Sequence, residues 1–99
     1  SKKIDSEARS TLLYYRGRNF QSLDDFLSAA NDYEEASVLT VSDAFKSSYI
    51  SYACENYFES KRYEKVLELT ERAEREGLGS DCAISSWAQK SRDALNANK

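Results

Sequence analysis

The chain has no histidine, no proline and no methionine, and only two cysteines and three glycines in 99 residues. Each absence excludes something. Without histidine the commonest general base is missing, and neither a glycine-rich phosphate loop nor a serine-nucleophile motif takes its place. Cys54 and Cys82 stand 28 residues apart with no second cysteine near either. They cannot supply the roughly four N or S ligands of a structural zinc site, so no metal or cofactor is expected. In a reducing compartment they read as small core residues rather than a disulfide. No run approaches the ~20 apolar residues that cross a bilayer, and no signal-peptide pattern opens the chain. Membrane insertion is therefore not expected, and an intracellular, cytoplasmic setting is. A net charge of −3 argues against nucleic acid, which is bound by clustered Lys and Arg. The Ser1-Lys2-Lys3 opening without methionine reads as a piece of a longer protein.

What is present favours helix. Ala, Leu, Glu, Lys and Arg are common, and 40% hydrophobic with 12% aromatic residues suffices for one small core over residues 1–99. Five helices account for the pattern. The first is predicted from residue 5 or 6 to residue 16, with Ile4, Ala8, Thr11, Leu12 and Tyr15 as its buried stripe and Gly17-Arg18-Asn19 as its end. The second starts within 20–22, with Ser22 and Asp25 as a capping box and Leu23, Phe26, Leu27 and Ala30 inward, and fades between residues 31 and 36. Residues 37–42 are expected as an irregular apolar linker. Ser42 or Thr40 then caps a third helix over residues 43–59, bearing Phe45, Tyr49, Tyr52, Ala53 and Tyr57. Ser60 is expected to cap a fourth over 61–76, with Tyr63, Val66, Leu67, Thr70 and Ala73 inward and acid-first pairs Glu68–Arg72 and Glu71–Arg75 outside. Gly77 suits a left-handed cap with Leu78 folding back. Ser80 or Asp81 opens a fifth helix, running to 94–97 and burying Ile84, Trp87, Ala88, Ser91 and Leu95, with residues 96–99 fraying.

Residues 50–73 are the most specific stretch. Ile50-x-x-Ala53-Cys54-x-x-Tyr57 is followed, after a polar turn, by Tyr63-x-x-Val66-x-x-x-Thr70-x-x-Ala73. Small residues at helical spacing let two helices approach, and aromatics fill the gaps. This stretch, within residues 47–79, resembles a tetratricopeptide repeat. Cys54 stands where Gly or Ala is usual, Val66 where alanine is usual, and Gly77-Leu78 replaces the closing proline. A weaker copy over residues 5–36 places Phe20, Leu23, Leu27 and Ala30 at an offset of 43 from Tyr63, Val66, Thr70 and Ala73, against a family period of about 34. The resemblance implies an all-α, right-handed array of antiparallel α–α hairpins: two hairpins plus a C-terminal capping helix.

It also implies a job. In such arrays the first helix of each hairpin lines a concave groove that receives a peptide or helix of another protein. In this register Ser48, Ser51, Glu55, Phe58 and Glu59 would face the groove from the third helix, and Arg9, Leu13 and Arg16 from the first. Phe58 has two readings: an exposed interface anchor, or a cover over Val38 and Leu39. Trp87 likewise locks the last helix down or marks a further surface. Tyr14, Tyr15, Tyr49, Tyr52, Tyr57 and Tyr63 are expected to cluster where the first, third and fourth helices meet, with Tyr14 or Tyr33 the most exposed. Asp24-Asp25, Glu34-Glu35 and Glu55 with Glu59 read as solvated helix faces rather than paired catalytic acids. The expected function is a non-catalytic interaction module or adaptor. The alternatives are self-association into a homo-oligomer within an assembly and, third, a weak nucleic-acid binder using Arg9, Arg16 and Arg18.

Overall fold

A computed structural model describes residues 2–78 and 81–97. Five helices and no strand occur among them: α1 (Lys2–Ser22), α2 (Phe26–Leu39), α3 (Asp43–Glu59), α4 (Tyr63–Arg75) and α5 (Cys82–Ala97). Each helix packs against the next in sequence, and α3 also touches α5. The result is a slab of 49 × 32 × 16 Å.

The first helix departs most from expectation. It runs through Gly17 to Ser22, and its buried residues are Ser10, Leu13 and Gly17. The stripe expected inside lies outside: Ile4, Leu12 and Tyr15 are 69%, 70% and 55% exposed. Both faces of α1 carry apolar side chains, so apolar content does not choose between them. Small residues do. Ser10 lets the α2 backbone close in and donates its hydroxyl to the Ala36 carbonyl at 2.8 Å. Gly17 lets the Tyr33 ring lie against the α1 backbone, because a Cβ there would stand 3.1 Å from the ring. Contacts descend toward the start of α2 as they climb along α1, from Glu7–Thr40 through Ser10–Ala36 to Arg16–Asp32. The two helices are therefore antiparallel.

Further corrections concern helix ends and inward faces: Leu23 and Leu27, expected inside, are 76% and 38% exposed. Asp24 takes a left-handed conformation (φ 59°), and Asp25, not Ser22, caps α2 by accepting from the Ser28 N–H at 3.2 Å. Ser22 instead closes α1, its hydroxyl donating to the Arg18 carbonyl. Residues 37–39 continue α2, which leaves 40–42 as the link. The Glu7 carboxylate holds that link, accepting from the Thr40 hydroxyl at 2.8 Å and from the Val41 N–H. Ser42 caps α3 as expected, accepting from the Phe45 N–H. Ser60 ends α3 rather than starting α4, which begins at Tyr63 with no side-chain cap. Of the α4 stripe, Val66, Thr70 and Ala73 are buried, and Leu69 rather than Leu67 joins them. Glu68 pairs with Lys65 and Arg72 reaches back to the Ser37 hydroxyl at 2.6 Å, in place of an i,i+4 pair between them. At the C-terminus of α4, Gly77 is left-handed (φ 80°) and the Leu78 N–H donates to the Ala73 carbonyl at 2.8 Å. Asp81 caps α5 through the N–H groups of Ala83 and Ile84 and accepts from Ser47 on α3 at 2.5 Å. The expected roles of Ser80, Asn98 and Lys99 lie outside the described residues.

The main core joins Ala29, Ala30 and Tyr33 of α2 to Ile50, Ala53, Cys54 and Tyr57 of α3, Val66, Leu69 and Ala73 of α4, and Ile84 of α5. The offset of 43 does not describe this arrangement, because Phe20 lies in α1 while Tyr63 opens α4. The ends of α1 and α3, and the starts of α2 and α4, are each 37 residues apart.

Candidate functional site

An open cleft of about 550 Å³ lies between α1 and α3 over a floor provided by α2. From α1 come Tyr14, Arg18, Gln21 and Ser22, from α3 Tyr52 and Glu55, and from α2 Tyr33. Tyr14, Tyr33 and Tyr52 form a triangle of rings with centroids 5.4–6.1 Å apart. Such edge and tilted contacts let aromatics fill a small core while keeping hydroxyls near water. Tyr14 also stacks on Tyr49 at 5.3 Å, and Tyr49 on Phe45 at 5.8 Å.

Polar groups fix the inner end. Gln21 Oε1 accepts from the Tyr33 hydroxyl at 3.0 Å and from Asn56 Nδ2 at 3.3 Å. Asn56 Nδ2 also donates to the Tyr52 carbonyl, while its Oδ1 is buried without a hydrogen-bond partner. Burial pushes the Tyr33 hydroxyl up to about 12, so it is a fixed donor. Arg18 sits over the Tyr14 ring, 5.8 Å from its centroid. Glu55 is half-buried on the opposite wall.

Of the expected groove residues, the structure brings Glu55 into this cleft. Ser48, Ser51 and Glu59 lie on the same face of α3 by helical spacing, the serines half-buried and Glu59 exposed. The residues assigned from α1 are elsewhere. Leu13 is core, 7% exposed against Ala36 and Tyr49, and is not available as surface. Arg9 pairs with Glu35 at 3.2 Å. Arg16 makes a two-pronged contact with the buried Asp32 at 2.7 and 2.8 Å, which raises the pKa of its own guanidinium. Two of the three arginines of a nucleic-acid reading are thus held by α2 carboxylates. Phe58 is neither an exposed anchor nor a cover over Val38 and Leu39. It packs on Tyr63 at 5.2 Å and Trp87 at 5.4 Å, with Lys90 over the indole at 4.5 Å. Trp87 therefore holds α5 down on α3 and α4.

The tyrosines split. Tyr14, Tyr49 and Tyr52 gather between α1 and α3 with Tyr33, which is 2% exposed rather than among the most exposed, while Tyr15 touches Tyr14 from the exposed side of α1. Tyr57 turns to α2, where its hydroxyl donates to Glu34 at 2.5 Å and lies 2.8 Å from Asn31 Oδ1. Tyr63 joins Phe58.

The sequence reading missed Tyr14, Arg18, Gln21, Tyr33 and Tyr52 as cleft residues. Ser10 and Gly17 were the usable signal. Once they mark the face of α1 against α2, Tyr14, Arg18 and Gln21 follow on the neighbouring face at steps of four and three.

Cys54 is buried, its thiol pushed up to about 12 by desolvation, and Cys82 is exposed. Among the described residues no group of three His, Cys, Asp or Glu side chains could hold a metal ion, and no helix is long and apolar enough to cross a membrane. Comparison with known protein families, with curated proteins and with solved structures returns no match.

Proposed function

We propose that the chain is a non-catalytic interaction module of tetratricopeptide-like build, whose α1–α3 cleft receives a peptide or helix from a protein partner. In this reading α1/α2 and α3/α4 are two hairpins of a right-handed array, and α5 is its capping helix. The buried positions support it. At the 37-residue spacing, Leu13, Gly17, Ala29, Tyr33 and Ala36 correspond to Ile50, Cys54, Val66, Thr70 and Ala73, all buried. Ile84, Ala88 and Ser91 on α5 follow Ile50, Cys54 and Tyr57 at 34 residues, the family period. Gly17 and Cys54 then share the small crossing position of each hairpin.

One observation carries the functional part: the first helices of the two hairpins leave an open cleft between them, lined by aromatic and hydrogen-bonding side chains. Clefts of a few hundred Å³ with a few convergent polar groups are the usual form of a binding site. Selection of peptides from a displayed library, followed by mapping amide-shift changes on the chain, tests it. Enriched peptides are expected to perturb Arg18, Tyr52 and Glu55, and Ser22→Arg, at a residue lining the cleft, should weaken them at least about tenfold through bulk in the groove. Peptides that map to α4 or α5 would refute the cleft.

A second reading, assembly through self-association, is favoured by the exposed stripe Ile4, Leu12 and Tyr15 on α1. Light scattering over a range of concentrations decides it. A constant monomer mass, or a dimer unaffected by Leu12→Glu, removes that reading.

A further inference from the structure

The cleft holds a cation and an anion that do not neutralise one another. Among the described residues neither Arg18 nor Glu55 takes part in an ion pair. Arg18 is engaged with Tyr14, over its ring and 3.5 Å from its hydroxyl. Glu55 has no such partner. It stands one helical turn from Tyr52, so the two share a face of α3. The Tyr52 ring packs on Tyr33 and Tyr14, yet the residue remains 38% exposed. A carboxylate beside a partly exposed aromatic ring attracts an ammonium or guanidinium group, through charge on one side and the ring quadrupole on the other.

The α1 wall offers the opposite chemistry. Tyr33 and Asn56 both donate to Gln21 Oε1, which fixes the direction of that amide and leaves Nε2 as its free donor. Gln21 Nε2 and the Arg18 guanidinium are donors only, suited to a carbonyl oxygen.

We infer that the cleft takes a lysine or arginine of a partner's extended segment, its cationic head against Glu55 and Tyr52 and its main-chain carbonyl toward Gln21 and Arg18. This rests on the reading of the cleft as a peptide site. The probes are three capped pentapeptides, Gly-Gly-X-Gly-Gly, with lysine, norleucine or glutamate at X, titrated into the chain with amide shifts recorded. The lysine peptide is expected to bind about tenfold more tightly than the norleucine one, the sum of a partly exposed ion pair and a cation–π contact. The glutamate peptide should be weakest, and raising the salt should narrow the gap. Glu55→Gln, at a side chain with no ion pair among the described residues, should abolish the lysine preference. Equal binding of all three peptides, or a lysine preference that survives Glu55→Gln, overturns the basic-residue assignment while leaving the cleft a peptide site. No shift at the cleft with any of the three overturns both.

Discussion

The backbone of Gly17 lies against the face of Tyr33. A Cβ at Gly17 would meet Cε1, Cδ1 and Cζ of that ring at 3.1–3.2 Å, and the ring is held in turn by Tyr14, Tyr52 and the hydrogen bond to Gln21. Mid-helix glycine normally costs about 0.5–1 kcal/mol relative to alanine. Here close approach offsets that cost, since α1 and α2 meet at this point.

Gly17→Ala is therefore expected to show none of the roughly 1 kcal/mol gain that an exposed mid-helix glycine would give. Gly17→Val should destabilise by about 2 kcal/mol or more, because a boxed-in ring cannot move aside. Urea midpoints at constant m-value provide the check. A clear stabilisation by alanine would show that the contact is slack.

Glu7 fastens the α2–α3 link through Thr40, itself buried, and the Val41 N–H. Glu7→Ala removes both acceptors and should cost about 1–3 kcal/mol. Hydrogen exchange should localise the loss to the Val41 amide and the first turn of α3. Unchanged protection there would mean that the link is held by other contacts.

Alkaline pH should unfold the chain before acid-base chemistry on its surface does. Burial raises the Cys54 thiol and the Tyr33 hydroxyl to about 12, and burial plus the bond to Glu34 raises Tyr57 further. A folded pKa above the unfolded one leaves stability intact below the unfolded value and removes it as pH climbs through the folded one. The urea midpoint is thus expected to fall from about pH 9, where an unfolded cysteine ionises, and more steeply above about pH 10, where unfolded tyrosines follow. Cys54→Ala should flatten the first part of the decline. An equal decline with alanine at that position would contradict the assignment. At the acid end Asp81, held below the usual range by the Ser47 hydroxyl, loses its contribution as pH falls through its folded pKa.

Trp87 joins α5 to Phe58. Trp87→Ala should cost about 2 kcal/mol, less than the 3–5 of a fully buried tryptophan, because the indole is half-buried. Amide protection should drop across α5 first and leave α1 and α2 protected. Uniform loss along the chain would show that α5 and the other helices form one cooperative unit.

The α3–α4 pair was legible in the sequence. Ile50, Ala53, Cys54 and Tyr57, the repeat-like residues of α3, are buried together with Tyr49 and Asn56, whereas Phe45 and Tyr52 of the expected face stay exposed. The left-handed Gly77, the Ser42 cap and the inward face of α5 were legible for similar local reasons. The α1–α2 pair was not. Ile4, Leu12, Leu13, Tyr14 and Tyr15 spread apolar surface around α1, and glycine next to asparagine read as a stop. The face of α1 turned toward α3 was misread with it, so Arg9, Leu13 and Arg16 were expected there and Tyr14, Arg18 and Gln21 were not.

By itself the sequence determined an all-helical chain, the span of α3 and the left-handed end of α4, because capping, glycine conformation and helical periodicity act within a few residues. Tertiary structure alone decided which face of α1 is buried, that Phe58 is covered by Trp87, and that Tyr14, Arg18, Gln21, Tyr33, Tyr52 and Glu55 share one cleft. Those outcomes depend on how closely two backbones can approach, and that distance is set by pairs such as Gly17 and Tyr33, far apart in the chain.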